Sequence, residues 1–251
     1  MTTPPGYYDR YWSRDAAAEQ AGMYAALEAL LGPHAAAGAS WLDVGCGNGR
    51  TVGLWARQCG VHYTGVDVAP EAVRQAKDAG LEAYVLEAPP ALPFGTASFD
   101  TAVCMEVFEH LFEPQLTAAE ILRVLRPGGT LLATTPNAAY WRRRLDLGVL
   151  GRWNPAGDEK SLSEPWRDPH IRFFTPASLR AMLEASGFEN PVVGAHWGVF
   201  AADLPGVSRL VTQARAGRDV ERRASAPYRL LQARFPSLFG LRLHASARRP
   251  A

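Results

Sequence analysis

A glycine-rich loop between a predicted strand and a predicted helix most constrains how this chain can fold. The stretch "WLDVGCGNGR" (residues 41–50) runs from apolar residues into Gly45, Gly47 and Gly49. Glycines let the backbone turn sharply there and let a ligand approach closer than any Cβ would allow. A dinucleotide fingerprint would place its third glycine at position 50, which is Arg50, and the sequence lacks the Gly-Lys-Ser/Thr of a phosphate-binding loop. The loop therefore predicts a ligand site of another kind.

An acidic residue ends the next predicted strand. In "YTGVDVAP" the apolar run finishes at Asp67, one strand–helix unit after Gly45. A carboxylate at this place suits hydrogen bonds from the two hydroxyls of a ribose. The loop and Asp67 together predict a pocket for an adenosine-like ligand that does not require a diphosphate. The alternative is a tight turn followed by a helix cap.

Apolar strands and amphipathic helices alternate along the middle of the chain. Strands are predicted near residues 40–44, 62–66, 83–86, 99–104 and 129–134. Helices are predicted near residues 49–59, 70–79, 114–125 and 176–186. Nearly continuous apolar strands separated by helices predict a doubly wound α/β fold, in which a parallel sheet is covered on both faces.

The length of 251 residues suits a single domain with additions. We expect lid helices in residues 1–33 and a cofactor-binding core in residues 34–190. Residues 137–170 read as an insertion at the acceptor site. Residues 191–251 read as C-terminal strands with a basic insertion, and the apolar stretch "SLFGLRLHASA" reads as an edge strand.

Composition excludes several classes of function. The net charge of +1 argues against a nucleic-acid coat, and the arginines that follow Arg209 are not interleaved with stacking aromatics, so we expect no tight nucleic-acid binding. The three cysteines have no paired spacing, which argues against disulfides and a zinc site. No leader and no apolar run of about 18 residues is evident, so we expect a cytoplasmic protein.

Five stretches in order resemble the motifs of class I S-adenosylmethionine-dependent methyltransferases. They are "LDVGCGNG", "GVDVAPEAV", "LPFGTASFDTAV", "LRPGGTLLATTPN" and "HIRFFTPASLRAMLEASGF". The chain is similar to the ubiquinone-pathway O-methyltransferases and to a methionine-biosynthesis-associated branch. The resemblance implies a Rossmann-like, mostly parallel seven-stranded sheet with an antiparallel last strand, a helical N-terminal lid, and insertions after strands five and six.

The same resemblance implies which residues hold S-adenosylmethionine. The three glycines would pack on its methionine and ribose portions, and Asp67 would hold the ribose hydroxyls. Further contacts are expected from residues at the ends of the first four strands and from aromatics of the lid, namely Asp43, Cys46, Val68, Glu87, Met105, Tyr11 and Trp12. Ordinary packing of a leading helix is the alternative for the aromatics.

The stretch "CMEVFEH" places Glu106, Glu109 and His110 just after the fourth strand. If these residues form a helical turn, their side chains share one face. With His170 from "DPHIRFF" they resemble the metal site of the ubiquinone-pathway enzymes and of small-RNA 2′-O-methyltransferases. This implies four ligands for Mg²⁺ or Mn²⁺. The alternatives are a metal-free site with His110 or His170 as catalytic base, and a purely structural role.

The sequence thus predicts methyl transfer to an oxygen of a small hydroxylated metabolite, either catechol-like or sugar-like. N-methylation of a small amine and a non-catalytic, cofactor-binding regulatory partner stay open as alternatives. The arginine-rich and aromatic residues 140–153 have two interpretations as well. They form a lid over the acceptor, or they contact an anionic membrane surface.

Overall fold

A seven-stranded sheet forms the centre of the protein. The computed structural model describes Tyr8, Trp12, residues 24–153, Trp166, residues 168–196, Leu230 and residues 234–251. The strands are β1 (Ser40–Val44), β2 (His62–Asp67), β3 (Glu82–Val85), β4 (Phe99–Met105), β5 (Leu125–Pro136), β6 (Glu189–His196) and β7 (Arg242–Arg248). Their order is β3-β2-β1-β4-β5-β7-β6, and only β7 runs antiparallel to its neighbours within this sheet. The predicted fold class is confirmed.

Helices cover both faces of the sheet. They are α1 (Tyr24–Leu31), α2 (Gly53–Gln58), α3 (Pro70–Asp78), α4 (Pro114–Val124), α5 (Trp141–Gly148), α6 (Pro176–Ala185) and α7 (Pro236–Phe239). Single 3₁₀ turns span Gly32–His34 and Phe108–His110. Among the described residues, no helix combines the length and the apolar character that crossing a membrane requires.

Local sequence accounts for where these helices begin. Helices α3, α4 and α6 each start on a proline, whose fixed φ suits the first helical turn and whose missing N–H is not needed there. In α6, Thr175 and Ser178 form a capping box in which each side chain bonds the backbone N–H of the other. The predicted helix near 176–186 is therefore well specified by its own residues.

Two apolar layers sandwich the sheet. On one face α4 and α6 contribute Ile121, Leu179 and Leu183, and on the other α1 and α2 contribute Leu31 and Ala56, all buried. Because central strands are covered on both faces, neighbouring strand residues are buried together, which explains the continuous apolar runs in the sequence.

Two predicted boundaries are wrong. The helix after the glycine loop begins at Gly53 rather than near residue 49, because the loop takes up the intervening residues. Strand β5 begins at Leu125 and includes the turn sequence "RPGG". Its pairing with β4 shifts register between Phe99 and Thr101, which accommodates these extra residues as an irregularity in the strand.

The final strand lies inside the sheet, so its prediction as an edge strand is wrong. Strand β7 pairs with β5 on one side and β6 on the other. Its alternate residues Leu243, Ala245 and Ala247 are buried, as an interior strand requires. On this side of the sheet the edge strand is β6, where the side chain of Val192 is 67% exposed.

Parts of the predicted domain organisation fall outside the described residues. Of the predicted lid in residues 1–33, the structure describes Tyr8, Trp12 and the region from Tyr24 onward. Of the basic insertion in residues 201–235, it describes Leu230 and residues 234–235. The division of the chain into lid, core and insertions stays a prediction.

A glycine-to-alanine pair tests the packing of the loop. Gly49 has φ of +71°, and a Cβ there would overlap the side chain of Leu81. We expect Gly49→Ala to lower the free energy of unfolding by about 2–4 kcal/mol, from backbone strain and overpacking together. Gly148→Ala is the control, because a Cβ there meets no atom within 4 Å. Urea denaturation measures both, and equal stability of the two variants would contradict the packing.

Candidate functional site

The carboxylate of Asp67 ties the glycine loop to the end of β2. Its Oδ2 accepts a hydrogen bond from the backbone N–H of Gly47 at 2.8 Å, and its Oδ1 accepts one from Ala69 at 2.9 Å. The N–H groups of Gly45 and Cys46 both donate to the carbonyl of Val66. A carboxylate oxygen can accept more than one hydrogen bond, which is the chemistry that the hydroxyls of a ribose require.

The three glycines of the loop meet different neighbours. A Cβ at Gly45 would overlap Val107, and one at Gly47 would overlap the indole of Trp12. A Cβ at Gly49 would instead overlap Leu81, so this glycine is required for internal packing, and its contact with the cofactor stays a prediction. The carbonyl of Trp12 accepts a hydrogen bond from Gln75, which holds this lid residue on the loop. Tyr11, the other predicted lid contact, lies outside the described residues.

Asp43 is a buried carboxylate beneath the loop. Tyr63 donates a hydrogen bond to its Oδ2 at 2.8 Å. Burial raises the pKa of Asp43 to about 7, the hydrogen bond from Tyr63 opposes this, and the negative charge of Asp67 adds to it. Burial likewise raises the pKa of the Cys46 thiol. The loop therefore lies over a region that favours a positively charged ligand group.

The remaining predicted cofactor residues lie at the same edge of the sheet. Val68 follows β2 and is 44% exposed, Glu87 follows β3 and is exposed, and half-buried Met105 ends β4. Their contacts with a cofactor stay predictions.

A second group of polar residues gathers after β4, around Glu109. This side chain is 1% exposed, and its Oε2 accepts a hydrogen bond from the hydroxyl of Thr135 at 3.1 Å. Its backbone carbonyl accepts hydrogen bonds from the N–H groups of Ile171 and Arg172. The segment after the insertion is thus fastened to the turn after β4, which brings His170 to Glu109.

The two histidines present the same ring nitrogen to Glu109. Nδ1 of His110 lies 3.2 Å from the carbonyl oxygen of Pro169, which can only accept, so Nδ1 carries the proton. Nδ1 of His170 lies 2.8 Å from a carboxylate oxygen of Asp168. The imidazoles stack with centroids 4.7 Å apart, and the ring of Tyr8 meets that of His110 edge-on.

Three possible metal-ligand atoms consequently lie close together. Oε1 of Glu109 lies 4.0 Å from Nε2 of His110 and 3.8 Å from Nε2 of His170. Oε1 is buried, and among the described residues it has no hydrogen-bond partner. Within the described part of the chain, this is the group of residues whose ligand atoms all lie within 4.8 Å of one another, as metal binding requires.

Glu106 does not join this group, so the predicted four-ligand arrangement is wrong in the structure. Its backbone adopts φ of +56°, and the 3₁₀ turn begins only at Phe108, so no helical turn aligns Glu106 with Glu109. Its carboxylate forms an ion pair with Arg242 of β7 instead. The structure brings together Glu109, His110 and His170.

Burial perturbs the pKa values in this group in opposite directions. It raises the pKa of Glu109 to about 8, against the hydrogen bonds to its carboxylate. It lowers the pKa of His110 to about 4, with the neighbouring His170 as the next cause. His110 is therefore neutral at pH 7 with a lone pair on Nε2, and a negative charge on Glu109 is costly unless a cation compensates it.

Several residues of the site are missed by sequence reasoning. Asp168 stands two positions before His170 in "DPH", a spacing at which an aspartate bonds the backbone of the second residue after it. Thr135 and Arg242 reach the site from β5 and β7, and no local pattern in the sequence reveals which residue each of them meets.

Helix α5 lies in the predicted acceptor-site insertion. Tyr140 and Arg143 are buried, whereas Leu147, Val149 and Leu150 are 50% exposed or more. A buried row with an exposed apolar row is compatible with both the lid and the membrane-surface interpretation of residues 140–153, which stay predictions.

Comparison with known proteins decides the family. A profile described as a methyltransferase domain matches residues 14–191, more than half of the chain. The chain belongs to the methyltransferase family. The predicted resemblance to class I S-adenosylmethionine-dependent methyltransferases is thereby confirmed.

Curated relatives of this methyltransferase include enzymes of quinone chemistry. It is 35% identical over 159 residues to the ubiquinone biosynthesis O-methyltransferase of Xylella fastidiosa, covering 60% of this chain and 61% of the relative. It is 31% identical over 168 residues to the 2-methyl-6-phytyl-1,4-hydroquinone methyltransferase of Synechocystis sp., covering 64% and 50%. The methyltransferase thus spans about three fifths of the length of the first relative.

A solved S-adenosylmethionine-dependent methyltransferase from Archaeoglobus fulgidus has the same fold. It superposes with a TM-score of 0.60 at 16% identity, covering 96% of this chain and 99% of the other.

The raised pKa of Asp43 predicts a pH-dependent stability. Between the pKa of 3.8 that an aspartate has in the unfolded chain and about 7, folded Asp43 holds a proton that the unfolded chain has released, so the free energy of unfolding falls as pH rises. Asp43→Asn should remove this fall, which is at most about 1.4 kcal/mol per pH unit for one proton. The free energy of unfolding of the variant, minus that of wild type, should therefore be more positive at pH 8 than at pH 5.

Urea denaturation at the two pH values measures that gain. Asp78→Asn is the control, because this carboxylate is exposed on α3 and pairs with Arg74. A gain that is the same at both pH values would contradict the assignment to Asp43.

Proposed function

We propose that this methyltransferase transfers the methyl group of S-adenosylmethionine to an oxygen of a small hydroxylated acceptor, with a divalent metal ion between Glu109, His110 and His170. The printed names of the two relatives, a ubiquinone biosynthesis O-methyltransferase and a hydroquinone methyltransferase, support a hydroxylated ring as the acceptor.

The convergence of three possible ligand atoms carries the metal part of this proposal. Nδ1 of His110 bonds the carbonyl of Pro169, so Nε2 of His110 presents a lone pair towards Oε1 of Glu109, and Nε2 of His170 lies 3.8 Å from the same oxygen. A proton on Glu109 would not bridge to Nε2 of either histidine, since the separations of 3.8 and 4.0 Å exceed hydrogen-bond length. A cation between the three atoms would satisfy all of them and offset the cost of the buried carboxylate.

The donor set also indicates which metal fits. With Glu106 paired to Arg242, the ligands are two imidazole nitrogens and one carboxylate oxygen. Imidazole suits transition metals, whereas Mg²⁺ prefers oxygen ligands and retains its water. We therefore expect Mn²⁺ to bind more tightly than Mg²⁺.

One half of the site, formed by the glycine loop and Asp67, would bind the cofactor. When bound, S-adenosylmethionine supplies a methyl group on a positively charged sulfur. Asp67 would accept the ribose hydroxyls, and the missing side chains of Gly45 and Gly47 let Val107 and Trp12 pack directly on the loop. Asp43 beneath the loop favours the positive charge of this ligand.

The other half prepares the acceptor. A divalent metal, when bound, lowers the pKa of a hydroxyl held beside it. Glu109, His110 and His170 would hold it, and an acceptor with adjacent oxygens, such as a catechol, suits the open positions that three protein ligands leave. If no metal binds, neutral His110 has on Nε2 the lone pair that a base requires. In both cases the parallel strands β1 and β4 bring the two halves to one edge of the sheet.

The cofactor half is tested by Asp67→Ala. Loss of charge-assisted hydrogen bonds to the ribose should weaken binding of S-adenosylmethionine by about 2–4 kcal/mol in calorimetry. Asp78→Asn is the control, because this carboxylate is exposed on α3 and pairs with Arg74. Unchanged affinity in the Asp67 variant would show that the ribose assignment is wrong.

The metal half is tested by two glutamates of one motif. Glu109→Gln should abolish Mn²⁺ binding in calorimetry and the Mn²⁺-dependent methylation of a catechol panel, because it removes a ligand charge. Glu106→Gln should leave Mn²⁺ affinity close to that of wild type, because Glu106 pairs with Arg242. Equal losses in both variants would restore the four-ligand arrangement.

A chelator provides the complementary measurement. Excess EDTA should abolish methyl transfer to the catechol panel, and added Mn²⁺ should restore it better than Mg²⁺. Full activity in excess EDTA would contradict the metal part of the proposal. The alternative in which a histidine acts as the catalytic base would then remain.

A further inference from the structure

We propose that Glu120 and Arg123 of α4 are a positioning pair that holds the loop after β3 in the place where the base of the bound cofactor would lie. The loop spans residues 86–94 and includes Glu87, the predicted cofactor contact at this edge of the sheet. The inference deepens the cofactor half of the proposed function and rests on it. Helix α4 would thereby contribute to recognition of the cofactor without touching it.

The first end of the loop is tied to Asp67. The backbone N–H of Leu86 donates a hydrogen bond to the backbone carbonyl of Asp67 at 2.8 Å. Strand β3 ends at Val85, which pairs with Asp67 in the parallel register, so the loop leaves the sheet beside the carboxylate that would hold the ribose. Because the base of a nucleoside is attached to the ribose, the loop lies next to the place that a base would take.

Two side chains of α4 hold the other end of the loop. Arg123 donates from Nη1 to the carbonyl of Phe94 at 2.8 Å and from Nη2 to the carbonyl of Leu92 at 3.0 Å. Glu120 accepts a hydrogen bond from the backbone N–H of Leu92 on Oε2 at 3.0 Å. Both backbone groups of Leu92 are therefore bonded to this pair, while its side chain is buried in the core.

The two side chains also fix each other. Arg123 donates from Nε to Oε1 and from Nη2 to Oε2 of Glu120, both at 2.8 Å. Ion pairs exposed to solvent add little to stability, and these side chains are 34% and 25% exposed. A bidentate pair has a defined geometry, however, because the planar guanidinium matches the two oxygens of a carboxylate. The arrangement is therefore better suited to holding backbone groups in place than to stabilising the fold.

Residues 87–91 form an arch between the two anchored ends of the loop. Within it, the N–H of Ala91 donates a hydrogen bond to the carbonyl of Ala88. Glu87 is exposed on the arch, and its carboxylate can accept a hydrogen bond from an amino group such as that of adenine. Because both ends are anchored, the arch loses conformational freedom on folding and not on binding, which favours affinity for the ligand.

Calorimetry with two ligands that differ only in the base tests the pair. The ligands are S-adenosylhomocysteine, the product that remains after methyl transfer, and S-inosylhomocysteine, in which an oxo group replaces the amino group of adenine. Wild type should prefer S-adenosylhomocysteine. Arg123→Met should lose this preference and bind S-adenosylhomocysteine about tenfold more weakly, as expected when the competent form of the loop falls to about a tenth of the population. Equal weakening of both ligands would overturn the proposal, because general damage to the fold affects both alike.

Three further variants control the experiment. Arg126→Met removes an exposed ion pair with Asp100 and should leave both affinities at their wild-type values. Arg123→Lys keeps the charge without the planar fork, so it should retain part of the preference. Glu120→Gln is a milder change that lacks the charge and one acceptor oxygen, and it should reduce the preference in the same direction. A loss of preference in Arg126→Met equal to that in Arg123→Met would contradict the assignment.

Asp67→Ala separates this inference from the proposed function. It should weaken both ligands to the same extent, because both contain the ribose. If it does so while Arg123→Met keeps the wild-type preference, the cofactor site stands and the positioning role is overturned. If wild type binds neither ligand, the cofactor half of the proposed function and this inference are overturned together.

Discussion

The parallel pairing of β1 with β2 on one side and β4 on the other is the constraint on which the rest of the structure depends. From β1 the chain continues to β2 on one side, and after β3 it returns to β4 on the other side of β1. The loops after β1 and β4 therefore lie where the strand order reverses, the position at which open α/β sheets form a ligand-binding cleft. The glycine loop lines one side of this cleft. The segment after β4 lines the other side, where Val107 packs on Gly45. Both halves of the candidate site follow from this one reversal of strand order.

Buried carboxylates make this cleft costly to fold. Burial raises the pKa of Asp43 to about 7 and that of Glu109 to about 8, so each holds its proton more strongly than an exposed carboxylate does. Groups with shifted pKa values are typical of functional sites. A cationic ligand that binds beside such a carboxylate offsets the free energy that its burial costs on folding. Asp43 lies beneath the glycine loop, and Glu109 lies beside two histidines, so each half of the cleft contains one of these carboxylates.

The backbone of Glu109 joins distant parts of the chain. Its carbonyl accepts the N–H groups of Ile171 and Arg172, and the neighbouring segment forms a bridge between Asn137 and Phe174. These bonds close the insertion after β5 into a loop that returns to the turn after β4. The fastening accounts for the meeting of His110 and His170, which are far apart in sequence and stack in the fold.

Local patterns in the sequence determined the alternating strands and helices, the glycine loop and the acid at Asp67, because each depends on neighbours within a few residues. The convergence of His170 on Glu109 and His110 was predicted only through a family resemblance. Tertiary structure alone decided that β7 enters the sheet between β5 and β6, that Glu106 turns to Arg242, and that Asp168 lies behind His170. The physical reason is that pairing partners across a sheet, and a left-handed residue at the end of a strand, depend on contacts between segments that no local pattern encodes.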